Sequence, residues 1–436
     1  MTVHDPQLQT LKPSSVQRAM RNLLIVSALY SLAMGMTRPL VPLFAYDLGS
    51  SSLMIGILIG AVGVLPMFLA LNVGFLADHL GPRRVLLAGA FIFLISTVMR
   101  AGFPNLTFLL LSQLVIGVSQ LLVIMAAHSY LAGIGSSRDR SQRFGSWQFA
   151  SSGGDLFGPI TGGILADLLI SSGLDSGDAY RWVFTIAGVI AAVSLALAVK
   201  LPKGAAVIQR DGEYGSILQQ ARQTAPYPGV AVGSLISMAF VLSSGIRQSF
   251  FPVLLAAQGF STTLITVLYS AHPFASMVIL PFLGRMTKRL GERSVVTLAL
   301  VVTAVGSGLI PIAQQFSFFL ILSTLTGIGA GLGITMTMVI VAGGAPRDQR
   351  GLALGIRQLA NRVASTVGPA LFGIVAGLAS LGATFYVAAS FAVLGMIPLA
   401  VPAWRPPKAP DQGTDPPSGH WSGLPAPPAQ RKGRPA

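Results

Sequence analysis

The sequence predicts an all-α membrane protein, with twelve transmembrane helices in two pseudo-symmetric six-helix bundles. Three observations lead there: a composition too apolar for water, twelve apolar stretches of spanning length, and a residue pattern that repeats at a fixed offset. Of the 436 residues, 52% are hydrophobic and only 10% charged, with a mean hydropathy of +0.70. Soluble domains carry about 25% charged residues. Cysteine is absent, which excludes disulfides, thiolate metal sites and thiol catalysis. The polar segment Met1 to Arg21 has neither the short apolar core nor the small-residue cleavage site of a secretory signal. The first apolar run is therefore expected to be a retained span.

A spanning helix needs roughly 20 mostly apolar residues. That rule places spans near 22–46, 53–77, 84–103, 106–133, 146–170 and 181–200, then 229–255, 263–285, 293–313, 316–343, 352–378 and 382–403. The division that follows is an N-terminal segment 1–21, a six-helix bundle 22–200, a linker 201–228, a second bundle 229–403 and a Pro-, Gly- and Ser-rich tail 404–436. Charge sets the orientation. With the N-terminus inside, 23 of the 29 basic residues fall on the cytoplasmic side, and only Arg100 and Arg181 fall outside. That is the positive-inside bias, so the net charge of +15 reads as topology against an anionic inner leaflet. It does not read as nucleic-acid binding. Both termini are then cytoplasmic and the protein sits in the cell membrane.

The second half repeats the first at an offset of 210. Gly35 and Pro42 recur as Gly245 and Pro252, Gly81 as Gly291, Gly117 as Gly327 and Gln148 as Gln358. Gly158-Pro159 recurs as Gly368-Pro369. Such duplication points to a transporter whose site lies between the halves.

Two motifs bear on function. "GFLADHLGPRR" (74–84) spends a carboxylate, basic residues and two glycines on one cytoplasmic turn. "GGDLFGPITGG" (153–163) loads the fifth span with small residues around a proline, which permits close helix approach. On these residues the chain resembles the major facilitator superfamily over about residues 18–403. The first motif is similar to the superfamily's loop between helices 2 and 3, through Gly74, Asp78, Gly81, Arg83 and Arg84. The second is similar to the helix 5 motif of its antiport-type exporters, through Gly154, Gly158, Pro159, Gly162 and Gly163. The resemblance implies that these residues serve conformational switching, with Asp78 holding the halves together at the inner membrane edge. Arg83 and Arg84 anchor the third span at the inner leaflet. In the second half Lys288 stands where Asp78 would recur, so a carboxylate gate is expected on one side only. Proton-coupled drug exporters of the family carry an arginine in helix 4; Gln113 occupies that place here.

Ionisable groups inside a span are costly and are site candidates by default. Four are basic: Arg38, Arg247, Arg357 and Arg362. Asp155 is the one deep acid, joined by His128 and His272, while Asp47 and Asp167 near span ends read as surface residues. By helical rise Arg38 lies roughly 24 Å and Arg247 roughly 27 Å from the inner face, on the repeat-related first and seventh spans. Two unpaired guanidiniums facing each other there suit an anionic ligand group. Arg362, with Asn361 beside it, is a third substrate candidate, and Arg357 is expected to cap the cytoplasmic gate. Asp155 is expected to pair with Arg362 or His272 and, with His272 and His128, to supply the proton-coupling candidates.

No P-loop, clustered metal-ligand set or paired catalytic carboxylates occur. The expectation is a monomeric secondary transporter without cofactor, not an enzyme. It moves a small-molecule substrate by alternating access, as proton-coupled export. The alternatives are an organic-anion carrier working in uptake and a non-transporting membrane receptor or scaffold.

Overall fold

A computed structural model describes residues 13–133, 140–202, 222, 224–346 and 349–400. Among the described residues every regular element is helical, and twelve helices are long and apolar enough to cross a membrane. In order they are spans 1 to 6, Val16–Asp47, Ser52–Leu69, Pro82–Gly102, Leu106–Leu131, Gln142–Ser171 and Ser176–Ala198, then spans 7 to 12, Pro228–Ala257, Thr262–Leu290, Glu292–Ile312, Phe316–Gly343, Arg350–Leu378 and Leu381–Leu399. Twelve crossings return the chain to the face on which it starts, called here the terminal face. The helix of span 1 begins at Pro13, nine residues before its apolar stretch, so Arg18 and Arg21 ride on helix and not on a free segment. Residues 1–12, nearly all of the polar stretch 203–223, and the tail from 401 lie outside the described residues.

The helices break where proline dictates. Span 1 is interrupted at Arg38-Pro39, between Pro13–Thr37 and Leu40–Asp47. Pro39 and Pro42 lack the amide that would bond the carbonyls four residues back. Span 7 is interrupted at the repeat-related place, between Pro228–Ser249 and Phe251–Ala257, beside Pro252. The duplication has therefore produced a matched pair of broken helices, an arrangement by which transporters expose backbone and side chains to a central site.

The motif of span 5 is a packing surface. A Cβ on Gly158 would lie 2.6 Å from the Leu32 carbonyl and 2.8 Å from Gly35 Cα, and Gly154 and Gly162 meet span 1 in the same way. Gly163 instead meets the Thr262 carbonyl of span 8, in the other bundle. The turns after spans 2 and 8 each hinge on one glycine, Gly81 and Gly291, both with φ of 80°, a left-handed conformation that glycine adopts without strain.

Besides smaller contacts of span 7 against spans 1 and 2, the bundles touch mainly along two helix pairs, span 2 with span 11 and span 5 with span 8. Both contacts are tight on the side away from the terminal face. A Cβ on Gly56 would lie 2.9 Å from the Pro369 carbonyl carbon, and one on Gly373 2.7 Å from the Ser52 carbonyl oxygen. Toward the terminal face Gly145, Gly153 and Gly355 have open space where a Cβ would go, and Gln148, Phe149, Gln358 and Leu359 are exposed. The two halves therefore meet on the far face and part on the terminal face.

These contacts predict a contrast within one motif. Gly158→Ala should destabilise the folded protein by about 1–3 kcal/mol through overpacking, while Gly153→Ala should be neutral or stabilising by up to about 1 kcal/mol through helix propensity. Melting of the two purified variants measures the difference.

Candidate functional site

A cavity of about 260 Å³ lies between the two helix breaks. Span 1 contributes Thr37 and Arg38, span 4 Gln113 and Gln120, span 7 Arg247 and Gln248, span 8 Tyr269, and span 11 Arg362 and Ser365. A second cavity of about 510 Å³ shares Arg38, Arg247 and Tyr269 with it. This cavity continues past Gln148 and Ser152 on span 5 and Met277 and Leu280 on span 8, toward the terminal face.

Arg38 and Asp155 form the hinge of the site. The Arg38 Nη1 donates to Asp155 Oδ1 at 3.0 Å, and the two side chains are 39% and 37% exposed. Sequence reasoning gave Asp155 to Arg362 or His272 and left Arg38 unpaired; the structure overturns both. The close glycine packing of spans 1 and 5 draws the two backbones together and sets the carboxylate against the guanidinium freed at the Pro39 break. Breaking a buried pair by removing one partner costs about 3–5 kcal/mol, and water access at this exposure makes the cost here smaller.

Arg247 has a different partner. Its guanidinium carbon lies 4.3 Å from the centroid of the Tyr269 ring, a cation–π contact, and its Nε and Nη1 are buried with no hydrogen-bond partner. His272, one turn from Tyr269, is buried at 8% exposure. It lines the larger cavity together with Asp155 and a small pocket with Arg247, Ser243, Thr303 and Ser307.

Three candidates sit elsewhere. Arg357 is buried inside the second bundle, where Nη1 donates to Ser237 Oγ at 2.9 Å and lies 3.5 Å from Thr337 Oγ1. It therefore ties spans 7, 10 and 11 together and does not cap a gate between bundles. Asn361, one helical turn on from Arg357, is absent from the lining of the central cavity, which Arg362 and Ser365 reach from span 11. His128 packs edge-on against Trp147, with ring centroids 4.8 Å apart, and 5.5 Å from Phe144, away from Asp155. Of the turn motif, Gly74 and Asp78 lie in the helix Ser52–Leu80, but their side chains are outside the described residues. Arg83 donates to the Val199 carbonyl at the end of span 6, so it holds two helices together, while Arg84 is exposed.

Sequence reasoning missed two residues. Arg100 was assigned to the outside; it is 1% exposed and lines the central cavity. Its place within span 3, two residues before Gly102, was the available signal. Asp167 was read as a surface residue. Its carboxylate accepts from the backbone amides of Thr262 at 3.0 Å and Thr263 at 2.8 Å, so it caps span 8 from across the bundle boundary. Ser261 Oγ takes the next amide, that of Leu264, at 3.4 Å. A helix start leaves four amides without partners, and here three are satisfied, two of them by the opposite bundle. In the repeat Gly377 stands where Asp167 would recur, so the span 2 and span 11 pair lacks this contact.

A polar cavity between two pseudo-symmetric six-helix bundles, closed on one face and reached from the other, is the architecture of alternating-access transporters. The chain belongs to the Major Facilitator Superfamily, whose family model matches residues 23–241 and 233–432. Quinolone resistance protein NorA of Staphylococcus aureus is 26% identical over 170 residues, 39% of this chain and 41% of that relative. Multidrug resistance protein 2 of Bacillus subtilis is 23% identical over 355 residues, 79% of this chain and 85% of the relative. Among solved structures, nucleoside transporter NupG superposes with a TM-score of 0.73 at 16% identity, over 88% of this chain and 99% of that one, which is a likeness of fold. The chain is thus a multi-pass membrane protein of this superfamily.

The Asp167 cap predicts a gating phenotype. Asp167→Ala should cost about 0.5–2 kcal/mol of cap energy and loosen the far face. Because the chain has no cysteine, a single cysteine at Ile59 in the cavity reports this without background. A membrane-impermeant thiol reagent added on the far face should label it faster in Asp167→Ala than in the parent.

Proposed function

We propose that the protein is a proton-coupled secondary active transporter of the cell membrane that exports a small organic molecule bearing negative charge. The observation that carries the reading is the Arg38–Asp155 pair, standing at a helix break in the inter-bundle cavity beside Arg247, which has no acidic partner among the described residues. A guanidinium offers a rigid fork of donors to a carboxylate or phosphate. Asp155 is the carboxylate in the cavity that can trade its partner for a proton. The basic excess puts the terminal face in the cytoplasm, so the state described here is the one that loads cargo from inside. The helix 5 motif and the names of the resistance proteins support export as the direction.

The direction depends on what the cargo asks of Asp155. Exchange of cargo for protons requires that the two exclude each other. A cargo that gives Arg38 an anionic group and Asp155 a hydrogen-bond donor meets that condition, because it needs Asp155 ionised. A purely anionic cargo does the reverse. Protonating Asp155 releases Arg38 to hold the anion, so proton and cargo bind together and move together. For a purely anionic cargo the pair thus supports a second reading, uptake of an organic anion with a proton.

Transport in proteoliposomes separates the readings. Exchange predicts that cargo accumulates in vesicles that are acidic inside; co-transport predicts accumulation in vesicles that are alkaline inside. In both cases Asp155→Asn should lose accumulation driven by the pH gradient and retain exchange of cargo for cargo. A folded Asp155→Asn protein that still concentrates cargo would remove Asp155 as the proton carrier. Orientation is checked by single cysteines at Ser172 and Ser216, which should label from outside and inside respectively.

A further inference from the structure

Arg38, neutralised by Asp155 from the adjoining cavity, shares the central cavity with three other guanidiniums: Arg100, Arg247 and Arg362. None has a carboxylate partner among the described residues. Each comes from a different span, two from the second bundle and one from the first. Arg100 is the most constrained. Its Nε donates to the Ser96 carbonyl at 3.2 Å and its Nη2 to Ser96 Oγ at 2.5 Å. The guanidinium carbon lies 5.6 Å from the centroid of the Phe184 ring, and Nη1 is buried without a partner. Two of its nitrogens therefore fix the side chain and the third is spare. Arg247 is built the same way, held over Tyr269 with two nitrogens unpartnered.

A cation taken from water costs several kcal/mol unless paired, and three in one cavity also repel one another. A cavity that carries this cost without acids to offset it is arranged for counter-charge brought by its ligand. One monovalent anion would leave two of the three cations uncompensated. The three line the smaller of two adjoining cavities, about 260 Å³ against about 510 Å³, so the anionic groups that meet them must sit together on a compact part of the cargo.

We propose that the cargo is a small multivalent anion, carrying two or more carboxylate or phosphate groups, and that Arg100 is one of its binding residues alongside Arg247 and Arg362. The proposal rests on the reading of an anionic cargo given above and sharpens it to valence.

The test is the melting temperature of the purified full-length protein at matched ionic strength with a series of anions. Chloride and propionate are the monovalent members, succinate and tricarballylate the multivalent carboxylates, and glycerol phosphate and pyrophosphate the phosphate arm. At least one multivalent anion should raise the melting temperature by about 3 °C or more above propionate. Arg100→Gln, Arg247→Gln and Arg362→Gln should each remove half or more of that gain, and the arm that responds identifies carboxylate or phosphate. Should Arg100→Gln not fold, Arg100→Lys takes its place; an ammonium lacks the fork, so the gain should still fall. Equal stabilisation by propionate and every multivalent anion overturns the proposal, as does an undiminished gain in the Arg100 variant. If that equal stabilisation disappears in Arg247→Gln, the anionic-cargo reading survives without the valence. If no anion of any valence shifts the melting temperature, both fail.

Discussion

The ion pair between Arg38 and Asp155 organises the site on which the transport reading depends. It exists because two separate sequence features converge. Proline at 39 opens span 1 at the arginine, and the glycines of span 5 let that helix lie backbone to backbone against span 1. Neither feature alone would put a carboxylate 3.0 Å from a guanidinium inside a membrane protein. With the pair in place, one acid and one base in the cavity are conditional on each other. In the proposed mechanism, cargo or a proton arriving at either end changes what the other end can bind. The remaining cavity arginines have no carboxylate partner among the described residues, so in that mechanism they are assigned to cargo.

The same small-residue packing explains why the cavity has one opening. Inter-bundle contacts of spans 2 and 11 and of spans 5 and 8 close over backbone on the far face. Asp167 adds two amide hydrogen bonds across the boundary there. Small side chains bring backbones into contact but form no bonds that must be replaced when the helices part. A seal of this kind can open at modest cost, and the Asp167 cap is the contact that must be exchanged for water when it does. The cap has no repeat-related twin, since Gly377 occupies the equivalent place. The two helix pairs are therefore unequal in their contacts despite the duplicated architecture.

Much of this fold was legible in the sequence because its causes are local. Hydropathy located twelve spans, and the offset of 210 anticipated that Pro42 and Pro252 would mark equivalent places; both lie beside helix breaks. Helix ends were less legible, since helices run on past the apolar stretch into charged turns, as at Pro13 and Arg140. The site was legible only in its ingredients. Sequence named Arg38, Arg247, Arg362 and Asp155 by the cost of charge in a membrane, but pairing depends on how each helix is rotated about its axis. That rotation is set by contacts far apart in the chain, and so Asp155 was assigned to the wrong partners. Arg357 and Arg362 show the limit clearly. They are five residues apart on one helix, yet one is tied to Ser237 within its own bundle and the other lines the cavity. Arg100 was lost for a related reason: a basic residue near a span end normally reaches for the interface, and although Ser96 lies one turn away on the same helix, Phe184 comes from span 6.

The central claim is that Arg38 and Asp155 act as a unit. A double-mutant cycle on folding stability measures that directly, with Arg38→Gln, Asp155→Asn and the double variant melted under one set of conditions. Contacting charges show coupling of about 0.5–3 kcal/mol in such cycles. The account predicts that the double variant is less destabilised than the sum of the two single variants, because removing both charges strands neither. Strict additivity, with the double variant losing the sum of the two, would contradict it.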